Sequence, residues 1–411
     1  MLHRWLEYGQ DKSHTKTCVT QETAFMRRDI FSEEHEMFRN QVRRFAETEL
    51  VPKVPEWNRE GMSDRESWRK MGTAGFLGLN APEEFGGGGV DFLYDAIVIE
   101  ELSRVRAHGL MMGLHSDICL PYITAYGNIA QKRRYIPGVV SGEIILAIAM
   151  TEPGTGSDLA AVQTTARRDG DHYLLNGSKM FISNGQIADL VIVVAKTNPI
   201  ANPPHRGISL ILVERDTPGF VRGRKLDKLG LRGQDTSELL FDDCHVPASN
   251  LLGAEGQGFK MLMEKLQQER LVAAIGALAS ARRCLDDTIE YTKQRKAFGQ
   301  SIADFQNTQF KLVEMATEVE VGQAFVDRCM AAHVRGDDLV SEVSMAKWWV
   351  TDLLKRLTSQ CLQLHGGYGF MLEFPVATDY ADAAVQSIYA GTNEIMKVII
   401  ARRMGLERRN Q

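Results

Sequence analysis

Ile144-Ile145-Leu146-Ala147-Ile148-Ala149-Met150-Thr151-Glu152-Pro153-Gly154-Thr155-Gly156-Ser157-Asp158 is the stretch at which the chain changes character. It opens with the longest fully apolar run in the sequence and ends in a Pro-Gly turn. A short apolar run bounded by turn residues reads as a buried strand. Two glycines beside Thr and Ser hydroxyls leave backbone amides free to bond a heteroaromatic ring or a phosphate. The same residues also suit an ordinary turn.

Upstream, about residues 29–143 read as helices. Ser32 is a good N-cap, with His35 and Glu36 placed for an approximate capping box, and Phe38, Val42 and Phe45 keep helical spacing. Pro82-Glu83-Glu84-Phe85-Gly86-Gly87-Gly88-Gly89 lacks a phosphate-loop pattern and reads as a flexible connection. Downstream, residues 144–253 read as a compact β domain. Asn176-Gly177 between two strand-like runs predicts a hairpin. Leu190–Ala195, Ile208–Val213 and Glu238–Phe241 predict further strands. Residues 254–411 return to long helices, broken at Gly299, Gly336 and His365-Gly366-Gly367-Tyr368-Gly369. The expectation is an α+β multidomain chain with the β domain wedged between helical layers. Residues 1–28 are expected to form a poorly ordered extension.

Composition narrows the function. The 411 residues are 44% hydrophobic and 25% charged, enough for a full core. A net charge of −5, with acids and bases mixed, argues against a nucleic-acid surface. No apolar span approaches the ~20 residues of a membrane helix. The six cysteines (Cys18, Cys119, Cys244, Cys284, Cys329, Cys361) are scattered, so buried free thiols are expected and a metal site is not. The first 25 residues lack a secretory core, and Glu7, Asp11 and Glu22 count against a mitochondrial transit peptide. A cytoplasmic location is therefore expected, or the mitochondrial matrix if the source is eukaryotic.

One residue breaks the helical pattern of the third block. Stepping by threes and fours from Leu262 passes Leu266, Glu269, Val272 or Ala273, and Gly276. Glu269 thus falls on the apolar stripe. A buried carboxylate is costly unless paired or used, and burial raises its proton affinity, as a carbon-acid base requires. The competing reading is a surface pair between Lys265 and Glu269 at i, i+4.

Six segments, in order, resemble the acyl-CoA dehydrogenase family. They are Met150–Asp158, Phe181-Ile182-Ser183-Asn184-Gly185, Lys225–Arg232, Gln294–Gln300, Gln363–Gly369 and Ile388–Ile395. The resemblance covers roughly residues 29–407. It implies N-terminal helices, a middle β domain and a C-terminal four-helix-type bundle. It also implies FAD, an acyl-CoA substrate, electron-transfer flavoprotein as partner, and a homotetramer. By resemblance, Ile148, Met150, Thr151, Gly156 and Ser157 line the flavin, and Phe181, Ile182 and Ser183 pack on it. Arg295 and Gln306 reach FAD from a neighbouring subunit, and Gln363, Leu364, His365, Gly366 and Gly367 close its adenine site. Thr392, Asn393 and Glu394 meet its pyrophosphate. Ser157, His205, Arg206, Gln267, Arg270, Ala390 and Gly391 are the implied substrate contacts.

The sequence departs from the family at one decisive place. Most members carry their catalytic glutamate in Tyr-Glu-Gly-Thr, and here the motif reads Tyr389-Ala390-Gly391-Thr392. In the long-chain and isovaleryl branches the base comes instead from a Glu-Arg-Leu helix, which Gln267-Gln268-Glu269-Arg270-Leu271 resembles. Glu269 is then the expected base, with Glu394 and Glu152 as rivals and Ala390 offering its N–H to the thioester carbonyl. The wording leans to the long-chain branch, so a fatty acyl-CoA of medium to long chain is expected. The alternatives are a branched-chain (isovaleryl-type) dehydrogenase, an oxidase using O₂, or a catalytically inactive acyl-CoA-binding homologue.

Overall fold

The computed structural model describes residues 26–406. Among the described residues, six α-helices precede the sheet: α1 (Glu33–Phe45), α2 (Val54–Glu60), α3 (Arg65–Thr73), α4 (Phe92–Arg104), α5 (Leu120–Tyr126) and α6 (Ile129–Val140). Ser32 caps α1, and His35 rather than Glu36 completes the capping box: its Nδ1 accepts from the Ser32 N–H at 3.1 Å. Arg28, assigned from sequence to a loose extension, is instead tied into the fold. Its guanidinium donates to Glu100 on α4 at 2.8 Å and to Asp327, in the C-terminal helices, at 2.6 Å. Residues 1–25 of that extension, with Cys18, lie outside the described residues.

The glycine-rich stretch is not a flexible connection. Gly88 donates to the Gly78 carbonyl, Gly89 to Ala81 and Val90 to Leu79. A Cβ on Gly87 would sit 2.1 Å from the Ala81 carbonyl oxygen, so glycine is required there by close packing.

The middle block is an eight-stranded sheet in the order β6-β7-β3-β2-β4-β5-β8, with β1 alongside β4. The strands are β1 (Leu146–Ala149), β2 (Thr165–Asp169), β3 (His172–Ser183), β4 (Leu190–Lys196), β5 (Ile208–Glu214), β6 (Phe220–Lys225), β7 (Thr236–Pro247) and β8 (Leu251–Leu252). β1 runs parallel to β4 with Leu146 opposite Leu190. The predicted Asn176-Gly177 hairpin is absent: both residues lie inside β3. The β2–β3 turn falls earlier, at Gly170, which has φ +61. Gly177 marks a register shift against β7, and a Cβ there would lie 2.5 Å from Thr164 Oγ1. Asn-Gly here signals a bulge and a close approach instead of a reversal.

The C-terminal block contains α7 (Gly258–Gln294), a small hairpin of β9 (Lys296–Ala297) and β10 (Gln300–Ser301), α8 (Gln306–Val334), α9 (Val340–His365), α10 (Pro375–Gln386) and α11 (Asn393–Arg403). Its helices do not sandwich the sheet. Val42, Trp57 and Ile97 share one core with Ile275, Leu278, Val319, Met330 and Leu353. The two helical blocks therefore pack on each other. The sheet lies against them through a second core that joins Leu120, Tyr122 and Ile136 to Leu190, Leu210, Met261 and Leu262. Cys119, Cys244, Cys284, Cys329 and Cys361 are buried free thiols. Among the described residues no helix is long and apolar enough to cross a membrane.

One buried polar pair inside this architecture is unusual. Asp95 on α4 and Asp117, on the π-helical turn Gly113–Cys119 that leads into α5, are both fully buried and face each other, with Asn80 beside Asp95. Burial pushes Asp95 up to about 7 and Asp117 well above the usual carboxylate range; Asp91, the other charge acting on Asp95, adds to the rise. Folding therefore favours protonated carboxyls. Their stabilising contribution is full below the ordinary aspartate value and is lost as pH climbs toward 7. Asp95→Asn keeps a neutral hydrogen-bonding side chain at every pH. Its melting temperature should fall less than the parent's between pH 5 and pH 8; parallel pH dependences would refute this assignment.

Candidate active site

α7 is buried almost all round its middle, as expected of a helix held between other helices. Glu269 lies in that stretch and is 5% exposed. Its Oε1 accepts a 2.7 Å hydrogen bond from the hydroxyl of Tyr122 on α5, itself fully buried. Burial raises the Glu269 pKa to about 7, against the opposing pull of the Tyr122 hydroxyl and the Arg270 charge. The surface pair with Lys265 does not form, because the Lys265 ammonium sits over the Tyr126 ring, 5.5 Å from its centroid. The Cys119 thiol, also near Glu269, is pushed well up by burial and by that carboxylate.

The neighbours of Glu269 have separate tasks. Gln268 donates to the Asp117 carbonyl at 2.8 Å and pins α7 to the π-helical turn. Gln267, expected to contact substrate, is committed elsewhere: its Oε1 accepts from the Leu339 N–H and its Nε2 donates to the Asp337 carbonyl. Arg270 is buried, so surface salt-bridging is excluded. Its Nη1 lies 3.5 Å from Ser344 Oγ, at the outer limit of a hydrogen bond, and its Nε has no partner among the described residues.

Ser344 begins the link to the second half of the site. One turn further along α9, Lys347 donates to the Gly391 carbonyl at 2.7 Å and to Asn393 Oδ1 at 3.0 Å. Ala390 has φ +50 and Gly391 φ +82, so the turn is left-handed at two successive residues. Among the described residues nothing accepts from the N–H groups of Ala390, Gly391 or Thr392. Successive free amides of this kind make a concave cradle for an oxyanion or phosphate. Thr392 then caps α11 by accepting from the Ile395 N–H. Asn393, expected at the pyrophosphate, instead binds inward: its side chain engages Lys347, Thr351 and Asp352, and its N–H donates to the Ser387 carbonyl.

The loop after β1 supplies a second set of free donors. Glu152 and Thr155 close it by reciprocal backbone bonds, while the N–H groups of Gly156, Ser157 and Asp158 have no protein acceptor among the described residues. A Cβ on Gly154 or Gly156 would meet nothing within 4 Å, so the loop faces open space. Thr151, Ile148, Met150 and Ser183 are half-buried, and Phe181 is 62% exposed at φ +61. Ile182, expected to face the flavin, points the other way into the sheet core beside Leu239 and Phe241. These glycines and unpaired amides fit a flat heteroaromatic ring with an attached diphosphate.

Both rival carboxylates are otherwise engaged. Glu152 pairs with the buried Lys179 ammonium at 2.8 Å and accepts from the Gln163 and Thr164 N–H groups. Burial works to raise its pKa, but Lys179 and the Thr164 contact outweigh it and the net shift is downward. Glu394 is exposed, and its own N–H and the Thr392 hydroxyl hold it below the ordinary value. Neither is poised to take a proton near neutrality.

The remaining expected residues fall into two distant groups. His205 packs its ring 5.1 Å from that of Phe259, in the first turn of α7, and Arg206 beside it is exposed. With 1.5 Å of rise per residue, Phe259 lies about 15 Å along the axis from Glu269. At the other end Arg295 stands 5.6 Å over the Tyr368 ring, and Tyr291 stacks on His365 at 4.0 Å. Gln306, Gln363, Gly366 and Gly367 are exposed, and Leu364 is half-buried, near this end. That group is on the order of 38 Å along the helix from Glu269, so one chain does not bring the two together. Tyr122, Lys179 and Lys347 were missed from sequence. Tyr122 carries no local signal, whereas the two lysines stand out as charges within otherwise buried segments.

Comparison with known proteins agrees with this geometry. Family models match in order: acyl-CoA dehydrogenase N-terminal domain over residues 32–143, middle domain over 147–244 and C-terminal domain over 256–405. The long-chain specific acyl-CoA dehydrogenase of Sus scrofa mitochondria is 50% identical over 375 residues, covering 91% of this chain and 87% of that protein. Isovaleryl-CoA dehydrogenase of Pongo abelii mitochondria is 40% identical, covering 90% and 88%. The crystal structure of an acyl-CoA dehydrogenase from Geobacillus kaustophilus matches with TM-score 0.90 and 54% identity, covering 91% of this chain and 98% of that one.

The Tyr122 hydroxyl favours the ionised form of Glu269. Tyr122→Phe should therefore move the Glu269 titration upward from about 7. Infrared pH titration of the carboxyl band, assigned by its loss in Glu269→Gln, reads this directly. An unchanged or lowered midpoint would contradict the role given to Tyr122.

Proposed function

The chain belongs to the acyl-CoA dehydrogenase family, flavin-dependent oxidoreductases acting on a CH–CH bond, and we propose that Glu269 is its catalytic base toward a fatty acyl-CoA. The observation that carries this is the dry Glu269 carboxyl, hydrogen-bonded to Tyr122 and titrating near neutrality. A thioester α-proton is weakly acidic, so the base has to be desolvated and the developing oxyanion met by fixed donors. Glu269 takes the pro-R α-proton on its carboxylate. The free N–H of Ala390 is the donor for the thioester oxygen. A flavin held by the residues below would supply a hydride acceptor for the β-hydrogen, and a trans-2-enoyl thioester would be the product.

The loop from Thr151 to Ser157, with Phe181 and Ser183, is the proposed flavin cradle, and the N–H of Thr392 beside Glu394 is the proposed pyrophosphate contact. His205 and Arg206, about 15 Å along α7 from the base, suit the phosphate end of a long thioester. Arg270 is too deeply buried for that end, so it is assigned to the reacting end beside Glu269. The Arg295, Gln306 and Gln363–Gly367 group is too far from Glu269 to share its cofactor. It would serve the FAD of a second copy, consistent with a homotetramer in which each site is completed by its neighbour.

The higher identity to the long-chain than to the isovaleryl relative supports a medium-to-long straight acyl chain. Electron-transfer flavoprotein is the proposed acceptor. The idea of an inactive homologue rested on Ala390, and a buried carboxyl at Glu269 removes its ground.

Glu269→Gln should retain FAD and acyl-CoA binding yet lose anaerobic flavin bleaching by about 10²–10⁴-fold; bleaching at the parental rate would place the base elsewhere. Across a ladder of saturated acyl-CoAs, bleaching should be fastest with medium-to-long straight chains, and fastest reaction with isovaleryl-CoA would reverse the branch assignment. The double change Glu269→Gly with Ala390→Glu should recover part of the lost activity if both positions face one α-carbon.

A further inference from the structure

Lys347 is fully buried on α9 and forms no ion pair among the described residues. Burying an ammonium without a carboxylate is expensive unless its donors are used. Here they are used on the Gly391 carbonyl and Asn393 Oδ1. Burial brings Lys347 down to about 8 despite Asp352 and Glu394, so it still carries most of its charge near neutrality.

Its target is a strained turn. A non-glycine residue at φ +50, as Ala390 is, is strained and persists only where the surroundings enforce it. In a trans peptide the C=O and the following N–H point in opposite directions. Drawing the Gly391 carbonyl inward to Lys347 therefore turns the Thr392 N–H outward. The Ala390 and Gly391 amides are likewise without an acceptor among the described residues. The Lys347 ammonium lies on the carbonyl side of this turn.

We propose that Lys347 is a positioning residue for the reaction: by anchoring the Gly391 carbonyl it sets the Ala390–Thr392 amides as the cradle for the thioester oxygen and the adjacent anion. This rests on the reading of Ala390 as the carbonyl's donor. A lysine serving only to hold α11 would support the helix equally well without tuning how strongly the thioester is polarised.

The test uses the FAD-loaded enzyme carrying Glu269→Gln, so that the thioester is not consumed, and octanoyl-CoA labelled with ¹³C at the carbonyl. Bound substrate should show a carbonyl stretch lowered from its value in solution. Adding Lys347→Met should return the band toward the solution value, and Lys347→Gln, which keeps a neutral donor, should give an intermediate position. In the otherwise unaltered enzyme, Lys347→Met should lower kcat by about 10²-fold with KM changed far less. If the methionine variant fails to fold, the glutamine variant decides alone. A lowered band that neither substitution moves would overturn the proposal and leave the function standing. A parent enzyme that no acyl-CoA bleaches would overturn the functional reading instead.

Discussion

A carboxyl group held dry in the middle of a long helix is the constraint on which this structure turns. Glu269 would be a defect in α7 if its only surroundings were the aliphatic residues beside it. It is tolerated because Tyr122 gives it one short hydrogen bond and Arg270 one adjacent charge. That compensation is partial. It leaves the carboxyl hydrogen-bonded yet with a proton affinity far above that of an exposed glutamate, the state suited to taking a proton from carbon.

This state depends on helices distant in sequence. Tyr122 reaches Glu269 because α5 follows a π-helical turn that Gln268 holds against α7. The N-terminal and C-terminal helices share one core, and Arg28 ties their junction by donating to Glu100 on one side and Asp327 on the other, while Arg39 donates to Glu100 from within the N-terminal helices. Burial raises the Glu100 pKa, but the two guanidinium groups outweigh it and bring the value down to about 2. The dry carboxyl is therefore a property of the joint between two blocks and of neither block alone.

The two loops with free amides, after β1 and before α11, follow a common design. Each leaves consecutive amides unpaired, which a folded chain normally avoids. Each is held from behind by a fully buried lysine bonded to a backbone carbonyl: Lys179 to Met150 and Lys347 to Gly391. The lysines differ in their second partner, a carboxylate for Lys179 and an amide for Lys347.

The division into helices, sheet and helices was legible in the sequence because hydrophobic period changes sharply at Ile144 and again near Gly258. The suspect carboxylate was legible too, since a charge on an apolar stripe is visible without coordinates. Asn176-Gly177 misled because the residues that favour a tight turn also suit a bulge, and only pairing with β7 distinguishes them. Gln267 and Asn393 sat inside matching motifs, yet their side chains serve α8–α9 packing and the start of α11, which motif spacing does not encode. Sequence determined which residue types were present to do the chemistry, because local periodicity and composition are local quantities. Tertiary structure decided which carboxylate is dry, which amides are free and which lysines stand behind them, because burial and hydrogen-bond partners are set by segments more than a hundred residues apart, as Tyr122 and Glu269 are.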